Sequence, residues 1–271
     1  MNRNELQTAI ARLLGDLLLE GTVDAGTTSG IADTELAFSL ADQLKGKELA
    51  IMSAASPTLA GVSRTISASS VGSLSLTPSL PAAPTAGDTY HIYSSFKYQD
   101  YKQAIDEAVR RARDIHLIDA SATLSIVATQ WEYAVPSGFR YISDMWFVPS
   151  GSLDYADQDT AFRIPRSAWL VKANPAGSKV IAFDPRIIDL DDWDDELIRL
   201  YGQRRPAELS VGTTVSEIPE SYLIQKAMSL LTLRKLGYGA EWAARFGYHN
   251  TEALRLERSI FRARRANAVE V

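Results

Sequence analysis

The stretch from Ile218 to Gly237 constrains the fold of this chain more than any other. Pro219 stands at a helix entrance, Glu220 in the first turn, Arg234 and Lys235 in the last, and Gly237 just beyond, so one helix with defined ends is predicted. At about 100° per residue, Leu223, Ile224, Ala227, Leu230 and Leu231 share an apolar arc that Tyr222, Leu233 and Met228 widen. Lys226 interrupts the arc, and only Gln225, Ser229 and Thr232 read as wet. A surface helix buries one stripe of about 100°, so this wider arc implies contact on two sides. The central helix of an ordinary core would satisfy that, and so would a helix covered on one flank by a neighbouring subunit.

A chain of 271 residues with 46% hydrophobic and 23% charged residues can bury a full core, in one large domain or two modest ones. A net charge of -5 argues against a protein that coats nucleic acid over its whole surface. The absence of cysteine removes disulfides, thiolate metal ligands and a thiol nucleophile together, and fits assembly in a reducing compartment. Near the N-terminus Glu5, Arg12, Asp16 and Glu20 break the apolar pattern, so no signal peptide is expected. No apolar run is long enough to predict a transmembrane helix.

Taken in order, Leu6, Ile10, Leu13, Leu14, Leu17 and Leu18 recur at helical spacing and predict a helix from Asn4 to Glu20, capped by Asn4 with Gln7, closed by Gly21 and weakened by Gly15. Residues 22–96 turn rich in Gly, Ser, Thr and Ala and read as a small β module, with strands at Leu49–Met52, Ser63–Ser67, Ser73–Thr77 and Thr89–Tyr93. Helical spacing returns from Asp100 to His116. From Ala122 to Leu209 the pattern is β again: Leu124–Ala128 and Trp131–Ala134 flank a turn, Tyr141–Val148 is a long strand, Ala168–Val171 pairs with Val180–Phe183, and Leu197–Tyr201 completes the sheet. Helices at 220–236, 240–246 and 251–268 end the chain. The predicted fold class is α+β, a helical body (1–21, 97–121, 216–271) holding two antiparallel β insertions (22–96 and 122–215).

Catalytic signatures are lacking. His91, His116 and His249 fall in different elements with no ligand spacing between them, and no nucleophile elbow, phosphate loop or dinucleotide turn occurs. No catalytic, metal or cofactor residue is therefore assigned, and the chain is not expected to be an enzyme. The acidic run Asp184, Asp189, Asp191, Asp192, Asp194, Asp195 and Glu196 lacks the glycine and spaced glutamate of a calcium loop; a solvated loop fits it, and a basic patch on another chain suits it better than a metal. More specific are Arg255, Arg258, Arg262 and Arg265, which fall on one side of the last helix beside Leu254 and Phe261. Such a guanidinium stripe can meet phosphates or the carboxylates of another protein, or remain solvated.

The segment Gln130-Trp-Glu-Tyr-Ala-Val-Pro-Ser-Gly-Phe-Arg-Tyr-Ile142, leading into a strand, resembles the one that opens the β portion of tailed-phage head-to-tail adaptor (connector) proteins. So does the Pro-initiated helix from Ile218 to Arg234 that follows Arg204, Arg205 and Pro206. Gly61 to Tyr93 is similar to a small β module carried by phage virion proteins. The resemblance implies a structural virion protein of the phage neck, assembled in the host cytoplasm, with twelve as the expected copy number of its ring. It would bind portal on one side and a tail or nozzle protein on the other, extend the DNA channel with nonspecific DNA contact open to it, and need no membrane and no cofactor. Leu223, Ala227, Leu230 and Leu233 would then meet the neighbouring subunit, and Arg255, Arg258, Arg262, Arg265 and Phe261 would meet portal or DNA. The module at 22–96 departs from shorter adaptors. The alternative is a β-rich module binding carbohydrate or a host surface through Trp131, Trp146, Trp169 and Trp193.

Overall fold

Two residues that the periodicity reads differently fix the limits of the first helix, α1 (Arg3–Leu14), in the computed structural model, which describes residues 1–37, 41–118, 124–148, 162–209, 214–260 and 269–270. Asn2, not Asn4, is the cap: its side chain accepts from the Glu5 amide at 3.0 Å, and the Asn2 amide donates to Glu5 Oε2 at 2.8 Å. Gly15 does not lie within the helix but ends it, in the left-handed region at φ 69°, where a side chain would be strained. The leucines beyond it join a strand, β1 (Leu17–Thr22), so the predicted helix to Glu20 is corrected to one that stops at Leu14.

β1 is followed by β2 (Ala25–Thr27), β3 (Gly30–Ala32), β4 (Glu48–Ser53), β5 (Ser63–Ser70), β6 (Ser73–Thr77) and β7 (Thr89–Tyr93). They form one antiparallel sheet in the order β1-β7-β4-β5-β6-β3-β2. Its two ends, β1 and β2, are separated only by Val23 and Asp24, whose amides donate to Asp88 O and Ala32 O. They are thus successive parts of one bent strand, and the sheet closes on itself as a small barrel with no long free edge. Leu49, Ile51, Ile66, Leu74, Leu76, Tyr90 and Ile92 fill its core. Gly21 is required at the seam: a Cβ there would lie 2.4 Å from the Tyr90 ring, whose hydroxyl donates to Asp33 Oδ2 at 2.7 Å.

The barrel strand β7 leads into α2 (Tyr98–Arg111), which ends at Arg111 where helical spacing would have carried it to His116. The organising helix appears as α3 (Glu220–Arg234), packed against α1, α2 and α4 (Ala240–Ile260). Its expected wet strip is largely covered: Ser229 and Thr232 are buried, and Thr232 Oγ1 donates back to Met228 O and Ser229 O at 2.8 and 3.1 Å, which satisfies the hydroxyl without water. Gln225, the third member, accepts or donates at 2.8 Å to His249 Nδ1 of α4. α4 runs unbroken through Gly247 and Asn250, where two helices were expected, because the packing of His249 and Ala253 overrides local propensity.

The remaining strands are β8 (Ile115–Ile118), β9 (Leu124–Ser125), β10 (Glu132–Ala134), β11 (Tyr141–Val148), β12 (Phe162–Arg163), β13 (Trp169–Ala173), β14 (Lys179–Phe183), β15 (Leu197–Arg204) and β16 (Val269–Glu270). One antiparallel sheet has the order β10-β14-β13, and another has β12-β11-β15-β8, with β16 on β11 and β9 on β15. Trp131–Ala134 contributes β10 and pairs with β14, not with Leu124–Ala128 as its position beside a turn suggests. The two sheets enclose an aromatic core with Tyr133, Phe147, Trp169 and Phe183 buried.

The chain divides into two compact units, Met1–Ala112 with Ala207–Ile260, and one built on Arg113–Pro206. The expected α+β arrangement, a helical body holding two β insertions, is not what forms. The described chain is mostly β, three antiparallel sheets with four α-helices, and its helices share one unit with the barrel. Leu17–Thr22 shows why: a segment with helical apolar spacing is drawn into the sheet by the unpaired side of β7, with which it pairs from Leu17↔Tyr93 to Thr22↔Thr89.

Candidate interaction surface

Of the arginine stripe on the last helix, Arg255 and Arg258 are exposed on α4, while Phe261, Arg262 and Arg265 lie outside the described residues. Arg255 is held by its own helix: Nε donates to Glu252 Oε2 at 2.9 Å, one turn away. The Glu252 carboxylate, in turn, is kept below its ordinary pKa by that hydrogen bond. This is a solvated ion pair of the kind that contributes little to stability.

The four α3 residues expected at a subunit contact separate by depth. Leu223 and Ala227 are fully buried within the chain itself, so they are corrected from an interface to the chain's own core. Leu230 is half-buried, and Leu233 is exposed at 43%. The outward apolar surface therefore begins at the C-terminal end of α3.

That end leads into a 3-10 turn, Leu236–Tyr238, stopped by Gly239 at φ 143° before α4 begins. The turn directs Tyr238 outward, 76% exposed, with Leu236 beside it. Lys235 Nζ lies 4.8 Å from the Tyr238 ring centre and 5.3 Å from that of Phe96. Phe96 meets Trp242 edge to face at 5.6 Å, and the Arg245 guanidinium lies 5.3 Å from the Trp242 ring centre. Arg245 also donates to Leu14 O at 3.1 Å and to Glu241 Oε1 at 2.7 Å. A ridge of alternating cations and rings thus runs along the α3–α4 junction, each cation within cation–π reach of an aromatic face. The sequence reading missed Lys235, Tyr238, Trp242 and Arg245 as a group. The available signal was an aromatic pair around Gly239 flanked by cations, but Phe96, which joins the pieces, is remote in the chain.

A shallow groove of about 370 Å³ lies between α1 and the barrel, walled by Asn4, Thr8, Arg12, Met52 and His91 among others. Its polar groups are committed internally: Asn4 Nδ2 donates to Met52 O at 3.4 Å, Thr8 Oγ1 to Asn4 O at 2.9 Å, and Arg12 binds Glu20 with two contacts of 2.7 Å. His91 Nδ1 is 3.4 Å from the Tyr93 hydroxyl, and its Nε2 is 3.9 Å from Glu20. Burial holds the His91 pKa below the usual imidazole value, Glu20 opposing and Arg12 adding to the effect; burial and Arg245 do the same to His249. The side chain of His116 is outside the described residues.

A depressed folded-state pKa means that the unfolded chain binds the proton first. Stability is therefore complete above about pH 6.5, the unfolded value, and is lost as pH falls from there through the folded values. Thermal melts between pH 8 and pH 5 are expected to show this loss, and a variant carrying His91→Gln and His249→Gln is expected to lose less of its stability over that interval than the parent chain.

Among the described residues, no group of three or more His, Asp or Glu side chains could hold a metal ion, and no helix is long and apolar enough to cross a membrane. Of the tryptophans, Trp169 is buried and Trp131 and Trp193 pack against the same core, leaving half-buried Trp146, 6.5 Å from the Tyr201 ring, on the outer side of β11. No family model matches the chain, and no curated protein matches it in sequence.

Proposed function

We propose that this chain is a structural protein of a tailed-phage particle, a head-to-tail adaptor whose copies close into a ring, with twelve the expected number, between portal and a tail or nozzle protein. Its work is shape and interface burial, continuing the DNA channel, and the chain carries out no bond chemistry. The reading draws on the adaptor-like order of the segments at 130–142 and 218–234. The observation that carries it is the α3–α4 junction, where Leu233, Leu236 and Tyr238 are exposed at 43%, 39% and 76% on an ordered helix–turn–helix. Large exposed apolar groups gathered at one place mark an interaction site more often than scattered ones do.

A ring also suits modest contacts. Each copy in a closed ring makes the same contact twice, so an association too weak to hold an isolated pair can still hold the assembly. The carbohydrate-binding alternative needs exposed ring faces, and of the four tryptophans considered for it Trp169 is buried while Trp131 and Trp193 pack against the core, partly buried.

The test is the mass of the purified chain, alone and mixed with the portal of the same particle, by light scattering or native mass spectrometry. A ring-sized species, alone or on the portal, is the expected result. A monomer in both samples would overturn the reading.

A further inference from the structure

The ridge at the α3–α4 junction calls for a partner with two properties. It offers carboxylates, which complement Lys235, whose Nζ lies against the rings of Phe96 and Tyr238 and has no ion pair among the described residues. It must also bring an apolar group for Leu236 and the exposed Tyr238 ring. The chain itself carries such a surface. From Asp184 to Glu196 there are seven carboxylates against the single cation Arg186, and Ile187 stands out among them, 49% exposed.

This acidic segment is a rigid knob and not a loose loop. The amides of Ile187 and Ile188 both donate to Asp184 O, at 3.1 and 3.2 Å. The Asp191 amide donates to Asp189 Oδ1 at 3.1 Å, and Trp193 N donates to Leu190 O at 3.1 Å, closing a 3-10 turn. Asp194 Oδ1 accepts from Ala128 N at 2.8 Å, and Asp195 N donates to Ile126 O at 3.1 Å. Beneath, Ile188 and Leu190 are buried and Trp193 stacks on Phe147 with ring centres 4.6 Å apart. Asp189, Asp191, Asp192 and Asp195 are thereby left exposed on a fixed backbone, and a preordered surface loses little conformational freedom on binding.

We propose that neighbouring copies join head to tail, the Lys235–Tyr238–Arg245 ridge of one copy receiving the Ile187–Asp192 knob of the next. This rests on the ring reading above and names the contact that builds the ring. Charge complementarity selects the occupant: carboxylates meet Lys235, and Ile187 meets Leu236 and the ring of Tyr238. Because the two surfaces differ, the contact is heterologous, and repeated from copy to copy it is the kind of contact that builds rings. The Lys235 charge set against the exposed carboxylates of the knob also helps to steer encounter and fix register.

The test uses two full-length variants altered only at exposed or half-exposed positions. Lys235→Glu with Tyr238→Ser breaks the ridge; Ile187→Ser with Asp191→Asn and Asp192→Asn breaks the knob. Circular dichroism and thermal melting confirm that each remains folded. In sedimentation velocity, at concentrations and on a portal template where the parent chain forms rings, each variant alone is expected to associate at least about tenfold more weakly. An equimolar mixture is expected to give nothing larger than a one-to-one pair, since only one intact ridge and one intact knob can meet. Rings that form unchanged from either variant would overturn this contact while leaving the ring reading in place. A parent chain that forms no ring under any of these conditions would overturn both.

Discussion

Replacing Asp16 by alanine is expected to destabilise the first unit by about 3 kcal/mol. The residue follows Gly15, at the point where α1 gives way to β1, and it is 3% exposed. Its carboxylate accepts from the Ser95 amide at 2.5 Å, the Phe96 amide at 3.2 Å and the Tyr101 hydroxyl at 2.5 Å. One side chain thus ties the helix–strand corner to the end of β7 and to α2. Alanine would leave two backbone donors and a phenol without an acceptor in a buried place, each carrying its own desolvation penalty. Tyr101→Phe removes only one of the three donors and is expected to be milder, about 1 kcal/mol. Burial, with the neighbouring Asp16 carboxylate, pushes the Tyr101 pKa well above that of an ordinary phenol, so this hydroxyl remains a donor throughout the working pH range. Urea denaturation of both variants checks the order. A loss for Asp16→Ala smaller than for Tyr101→Phe would mean that the corner is held by other contacts.

The same corner shows what a local pattern can and cannot reveal. Leu13, Leu14, Leu17 and Leu18 satisfy helical spacing, and nothing nearby says that β7 needs a partner strand; the decision is made by Gly15 and by a segment some seventy residues away, as the pairing Leu17↔Tyr93 shows. Where partners are close in sequence, the pattern was sufficient. The alternations Leu74/Leu76 and Tyr90/Ile92 mark β6 and β7, and the turn through Asn174 and Gly177 sets the β13–β14 pairing from Trp169↔Phe183 to Ala173↔Lys179. On α3 the width of the apolar arc implied contact on two sides, and α1, α2 and α4 of the same chain cover it, but Thr232 looked wet because its hydroxyl's partners, Met228 O and Ser229 O, belong to the helix itself. At the candidate surface the arginine periodicity was visible while the ridge was not. A ridge assembled from Phe96 and the 235–245 segment has no single period to detect.

Phe147→Ala is expected to have the largest effect in the second unit, about 3–5 kcal/mol. Phe147 lies on β11, fully buried, with Trp193 stacked on it at 4.6 Å and Phe183 and Phe162 at 6.3 and 6.4 Å. Truncation removes contacts to all three rings and leaves a cavity that β11, bonded to β15 from Tyr141↔Gln203 to Val148↔Leu197, is poorly placed to collapse into. Phe147→Leu keeps most of the volume and is expected to lose less than half as much. The effect should reach the surface as well, because the Phe147 ring is the floor on which Trp193 rests, and Trp193 N closes the turn that holds Asp191 and Asp192 outward. Denaturant melts of the two variants, read beside their sedimentation with the parent chain, separate these consequences. The alanine variant should associate more weakly even under conditions where it is fully folded, though no exposed residue has been changed. Unaltered association in a folded alanine variant would mean that the knob does not depend on the aromatic stack beneath it.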